Sequence, residues 1–130
     1  WVLVDTQTKR ILRRPPEELP LPFQPQEVPQ LDHTLLKGEA QPDGIERAVY
    51  TKCDKNKHLN NTYYADLICD HVPLAQMTAH PPARLAIVYH NEVPMGAEFT
   101  MLRAQTGEKR WYFCGEGPEK KHFEADLTLA

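Results

Sequence analysis

The chain has 130 residues, 41% of them hydrophobic and 25% charged, with a formal net charge of −3. These proportions suit one globular domain and exclude a disordered tail or a coiled coil. There is no apolar run of the roughly 18 residues that a membrane span requires, and the acidic balance gives no electrostatic case for nucleic acid. Serine is absent, which closes the Ser-His-Asp route to acyl transfer.

Taken from the start, Trp1 to Val4 reads as a short apolar strand and Asp5-Thr-Gln-Thr8 as a polar turn. A strand that ends at once and leads into a linker reads as the last strand of a preceding domain. Seven of the twelve prolines then fall between Pro15 and Pro42. Proline removes a backbone donor and drives its predecessor out of helical conformation, so this stretch is expected to be an extended linker. One short helical turn is expected around Leu31 to Lys37. The expected division is residues 1–14 as tail strand and turn, 15–45 as linker, and 46–130 as a compact domain.

Arg47 to Lys52 is expected to be a strand. Thr62 to Asp70 places Tyr63, Leu67 and Ile68 at helical spacing, with Asn60 or Asn61 available as N-cap and Pro73 just past the end. Four alternating strands follow. Arg84 to Asn91 carries Leu85, Ile87 and Tyr89 on one face. Glu98 to Gln105 carries Phe99 and Met101, and Lys109 to Gly115, after a turn at Gly107, carries Trp111 and Phe113. The run from Phe123 to Leu129 alternates apolar residues with Glu124, Asp126 and Thr128, the pattern of a half-buried strand. Strand, helix and a four-strand antiparallel meander make an α+β domain in which one apolar helix packs on a curled sheet.

The segment Cys53-Asp-Lys-Asn-Lys-His-Leu-Asn-Asn61 is the most unusual. In extended backbone Asp54, Asn56 and His58 project to one side while Lys55 and Lys57 point away. The helix that follows opens with unpaired amides at the positive end of its dipole, so those of Asn60 and Asn61 are candidates to receive an oxyanion. An acid, an amide and an imidazole beside a helix N-terminus are the parts of a thioester or ester hydrolase. The same residue types are also ordinary turn and cap chemistry. Spacing alone does not choose between the two.

The run Asp54-Lys-Asn-Lys-His-Leu-Asn-Asn-Thr-Tyr-Tyr64 resembles the Asp-x-Asn-x-His-(Val/Leu)-Asn-Asn-x-x-Tyr signature of acyl-acyl carrier protein (acyl-ACP) thioesterases, double hot dog enzymes of fatty acid synthesis. Trp1 to Arg10 is similar to the final strand and turn of that family's first hot dog domain. Ala86-Ile-Val-Tyr-His-Asn-Glu-Val93 is similar to the strand of the second that carries the catalytic glutamate. The resemblance implies a C-terminal hot dog domain, a long central helix wrapped by about five antiparallel strands, lying after a preceding hot dog domain or self-associating in its place. It implies Asp54, Asn56, His58 and Glu92 as catalytic residues, with no cofactor. The partner it implies is an acidic acyl carrier protein, which Lys55 and Lys57 could help to dock. In plant members a cysteine follows the glutamate directly. Here that residue is Val93, which excludes a thiolate at that position.

A water nucleophile with Glu92 or His58 as general base, Asp54 orienting His58, is one expected mechanism; direct attack by Glu92 is the other. A single hot dog acyl-coenzyme A thioesterase and a non-catalytic acyl-binding module remain alternatives. Cys53, Cys69 and Cys114 are too few and too widely spaced for a disulfide framework or a zinc knuckle, and fit the reduced thiols of a cytoplasmic protein. The six histidines show no metal-ligand spacing, so no metal is expected, and neither nucleic acid nor membrane is expected as a partner.

Overall fold

A computed structural model describes residues 4, 5, 7, 8, 10, 11 and 34–130, and the chain divides into two units, Trp1–Asp32 and His33–Ala130. In the first unit Val4 bridges Ile11 in antiparallel sense. Asp5 shapes the intervening turn by accepting the amides of Gln7 (3.0 Å) and Thr8 (2.6 Å) on Oδ1, as the polar Asp5–Thr8 stretch leads one to expect. Most of the Trp1–Val4 strand and most of the proline-rich stretch lie outside the described residues.

The second unit opens on strand β1 (Gln41–Arg47), inside the stretch expected to be linker. Pro42 and Gly44 look like breakers, but β1 is an edge strand, and the register shifts between Pro42 and Gly44. An edge with a bulge is where a sheet tolerates proline. The strand expected over Arg47 to Lys52 is not formed. Ala48 is fully buried, but Tyr50–Lys52 is a 3₁₀ turn with Tyr50 81% exposed. Residues 34–37 carry no helical turn, and residues 31–33 lie outside the described residues.

Helix α1 (Tyr63–Asp70) buries Tyr64, Leu67 and Ile68. A second short helix, α2 (Leu74–Ala79), begins at Pro73, whose carbonyl accepts the Gln76 amide at 2.8 Å. The single long helix is thus broken in two, because proline can open a helix but cannot continue one. Strands β2 (Pro82–Tyr89), β3 (Glu98–Gly107), β4 (Arg110–Glu116) and β5 (Lys121–Leu129) complete one antiparallel sheet, ordered β1-β3-β4-β5-β2. Only β3, β4 and β5 form a meander. β2 joins the far side of β5, and its link to β3 crosses the sheet end with Val93 fully buried.

Phe99, Met101, Phe113, Phe123 and Leu127 form the inner face against Tyr64, Leu67 and Ile68 of α1. Burying each such side chain stabilises the fold by about 1.5–3 kcal/mol. Gly115 sits opposite Phe123, and a Cβ there would come within 2.2 Å of the Phe123 ring. The outer face departs from the expected alternation, since Tyr112, Cys114, Glu124 and Asp126 are buried as well. Residues 34–40 run across this face, with the Leu36 amide donating to Asp126 Oδ2 (2.6 Å) and Lys37 Nζ reaching Glu124 Oε1 (2.8 Å).

Candidate active site

Between Cys53 and Leu59 the backbone doubles back instead of running extended. Those two residues bridge, the Asp54 amide donates to the His58 carbonyl (2.9 Å), and Lys57 takes a φ of 63° at the turn. Asp54 closes the turn from inside: its Oδ1 accepts the amides of Asn56 (2.8 Å) and His58 (3.3 Å). The carboxylate expected to orient the His58 ring therefore holds backbone instead, the usual role of an Asp opening a turn.

The turn is pinned to the loop after β2. Leu59 donates its amide to the Val93 carbonyl and Met95 to the Lys57 carbonyl, each at 2.8 Å, and His58 bridges Pro94. This pairing sets Glu92 beside His58, with Nδ1 and Oε2 3.2 Å apart. The ring is one-third exposed and the Glu92 side chain mostly exposed. Among the described residues Nε2 has no partner. In the tautomer with the proton on Nδ1, its lone pair is available to take a proton.

Asp54, Asn56, His58, Asn60, Asn61 and Glu92 all line one cavity of about 390 Å³. The six residues expected at the site are thus brought together by a turn and a loop–loop pairing, not by strand alternation. The two amides expected to face an oxyanion differ. That of Asn60 is spent on the Lys52 carbonyl (2.9 Å), and the Asn60 side chain accepts the Thr62 amide (3.1 Å). The Asn61 amide has no partner among the described residues and remains available. Lys55 and Lys57 are exposed and border a separate hollow of about 440 Å³ with Tyr50 and Met95, Asp54 forming the shared wall.

Four further residues line the cavity: Leu59, Tyr64, Tyr89 and Asn91. Tyr89 donates to the Asn61 carbonyl at 3.4 Å and meets the Tyr64 ring edge-on at 5.1 Å. Asn91 Nδ2 donates to the Lys121 carbonyl (2.7 Å) and anchors the Glu92 loop to β5. Tyr64 closes the quoted signature but receives no role at the site from sequence alone, because a tyrosine on a helix or strand face reads first as core, and the same holds for Tyr89. Val93 is enclosed in the core. Of the thiols, burial raises that of Cys114 to about 11 and also raises that of Cys69, away from thiolate.

Two other histidines meet carboxylates. His71, at the C-terminal end of α1, faces Asp43 through Nδ1 (2.6 Å) and Glu46 through Nε2 (3.1 Å), and Arg103 also pairs with Asp43 (2.8 Å). His90 meets Glu124 at 2.8 Å. Burial pushes the Glu124 carboxyl up, but hydrogen bonds from Lys37, Tyr112 and His90 and the Lys121 charge outweigh it, leaving its pKa at about 2. Among the described residues no three His, Cys, Asp or Glu side chains are grouped to hold a metal ion, and no helix is long and apolar enough to cross a membrane.

The family model described as "Acyl-ACP thioesterase C-terminal domain" matches residues 46–122. No curated protein matches the sequence. Among solved structures, an acyl-ACP thioesterase from Bacteroides thetaiotaomicron superposes with a TM-score of 0.70 at 16% identity, covering 98% of this chain and 53% of that one. A protein assigned as an oleoyl thioesterase from Lactobacillus plantarum gives 0.70 at 23% identity, covering 97% and 53%. A 1,4-dihydroxy-2-naphthoyl-CoA thioesterase from Synechocystis gives 0.54 at 9% identity, covering 67% and 78%. The chain spans about half the length of the first two. At these identities the likeness establishes the fold, which is the hot dog.

Proposed function

The chain belongs to the acyl-ACP thioesterase C-terminal domain family, and on that premise we propose that it supplies the catalytic half of an acyl-ACP thioesterase. The observation that carries this reading is the His58–Glu92 contact at 3.2 Å on the wall of a cavity that Asn56 and Asn61 also line. In the proposed reaction, Glu92 holds His58 through Nδ1, and Nε2 takes a proton from water as the water oxygen bonds to the thioester carbonyl carbon. The Asn61 amide receives the oxyanion, and Asn56 orients water or carbonyl. Collapse breaks the C–S bond, the thiolate takes the proton back from Nε2, and free acid and thiol leave. Asp54 acts at one remove by fixing the turn that aims His58.

The proposed substrate is a fatty acyl group on the phosphopantetheine arm of an acyl carrier protein. Support for it comes from the family match and from the hollow bordered by Lys55 and Lys57 next to the cavity. The outer edges of β1 and β2, which have no strand partner among the described residues, and the half-length coverage of the two larger structures support a second hot dog unit as neighbour. The test is hydrolysis of an acyl-ACP series by the full natural protein beside acyl-coenzyme A and acyl-pantetheine thioesters. Preference for acyl-ACP is expected. Equal rates on all three would remove the carrier-protein assignment, and no hydrolysis of any would remove the thioesterase reading.

A further inference from the structure

Tyr64 stands on the first turn of α1, and three observations single it out. Its side chain is almost wholly buried, at 2% exposure, and yet it lines the catalytic cavity. The ring is fixed in orientation, clamped edge-on between Tyr89 (5.1 Å) and Phe123 (5.0 Å). The hydroxyl has no hydrogen-bond partner among the described residues, and it is not shut off from the surface as the unpaired Thr106 Oγ1 is. A buried phenol that forgoes a protein partner loses roughly 1–3 kcal/mol unless something else accepts its hydrogen bond. The cavity is where that acceptor can sit.

We propose that the Tyr64 hydroxyl is a catalytic hydrogen-bond donor to the carbonyl oxygen of the thioester, completing with the Asn61 amide a two-donor oxyanion site. This rests on the thioesterase reading and extends it to a residue outside the Asp54, Asn56, His58 and Glu92 set. The chemistry suits the task. Burial, and then the charges of Tyr89 and Glu92, push the phenol pKa up to about 12, so Tyr64 stays protonated and able to donate at neutral pH. The Asn60 amide is committed to Lys52, which leaves the oxyanion one donor short of the usual pair. Tyr89 cannot fill the gap in the same way, because its hydroxyl is directed to the Asn61 carbonyl.

The test is Tyr64→Phe in the full natural protein, assayed on acyl-ACP and acyl-pantetheine thioesters beside wild type and His58→Ala. Phenylalanine keeps both ring contacts and deletes only the donor. The expected result is a loss of about tenfold to a hundredfold in kcat, with KM and the melting temperature little changed. Site-specific 3-fluorotyrosine at position 64, a more acidic donor of nearly the same shape, is expected to restore turnover to at least the wild-type level, and it serves equally if the phenylalanine variant folds poorly. Wild-type kcat in Tyr64→Phe, with His58→Ala inactive, would overturn the donor role and leave the thioesterase reading standing. A loss confined to KM or to stability would overturn it as well, since it would make Tyr64 a packing residue. If wild type hydrolyses neither thioester, both readings fall together.

Discussion

His58 and His71 are built from the same parts and use them differently. Each imidazole lies against carboxylate: His58 against Glu92 at 3.2 Å, His71 against Asp43 at 2.6 Å and Glu46 at 3.1 Å. His71 has both ring nitrogens occupied and a side chain only 10% exposed, so it ties the edge strand β1 to the end of α1 and has no nitrogen left for chemistry. His58 has one nitrogen held and the other turned to a cavity with no partner among the described residues. Residue type and a carboxylate neighbour are common to both, and what separates them is the number of ring nitrogens left unspent, which is why the proposed catalytic role falls to His58.

The sharpest way to break this comparison is to exchange the readouts of the two residues. His58→Ala is expected to lower turnover on the order of 100-fold or more, equivalent to about 2.7 kcal/mol of barrier, while thermal unfolding is little changed. His71→Ala should do the reverse, costing about 0.5–1.5 kcal/mol in urea unfolding because the partly exposed Asp43 and Glu46 carboxylates lose the imidazole that joins them, Asp43 keeping Arg103, with turnover per folded molecule within about threefold of wild type. A stable but inactive His71→Ala protein would show that the saturated histidine is not merely structural.

A third pair, His90 and Glu124, extends the comparison to pH. The Glu124 carboxyl titrates at about 2 in the fold, below its ordinary 4.5. A depressed carboxylate contributes stability that is present in full above about pH 4.5 and is lost as pH falls towards 2. The stability gap between wild type and Glu124→Gln should therefore shrink between pH 5 and pH 3, as followed by chemical unfolding at each pH. A gap constant over that range would mean that Glu124 is not held as its contacts indicate. The smallest expected effect is at the surface. Lys55→Glu should raise KM a few-fold for acyl-ACP at low ionic strength and leave acyl-pantetheine unaffected, and the difference should fade with salt. Equal effects on the two substrates would detach Lys55 from carrier-protein docking.

Much of the inner face was legible from alternation, because Phe99, Met101, Trp111, Phe113 and Phe123 repeat at the spacing that sends alternate side chains to one side. The outer face was not. Glu124 and Asp126 occupy positions that look solvent-facing, and both are buried under ion pairs and a crossing segment that local pattern does not encode. β1 was hidden for a different reason. Proline and glycine are breakers in a central strand but are acceptable at an edge, and whether a strand is an edge depends on its partners. The site was legible as a set of residues and not as a geometry. The motif from Asp54 to Asn61 and the separate Glu92 converge on one cavity, but Asp54 proved to hold backbone and the Asn60 amide proved to be spent.

By itself the sequence determined the local terms: the absence of serine, the helix over the Tyr63 to Asp70 region, the apolar faces of the strands and the clustering of acid, amide and imidazole before a helix. These depend on neighbours a few residues apart, and such contacts are written in spacing. The tertiary structure alone decided which carboxylate meets His58. Glu92 lies 34 residues further along the chain (92 − 58), and only the pairing of Lys57 and Leu59 with Met95 and Val93 brings the two together. Contacts of that range are set by how loops pack at the end of a sheet, and no local periodicity records it.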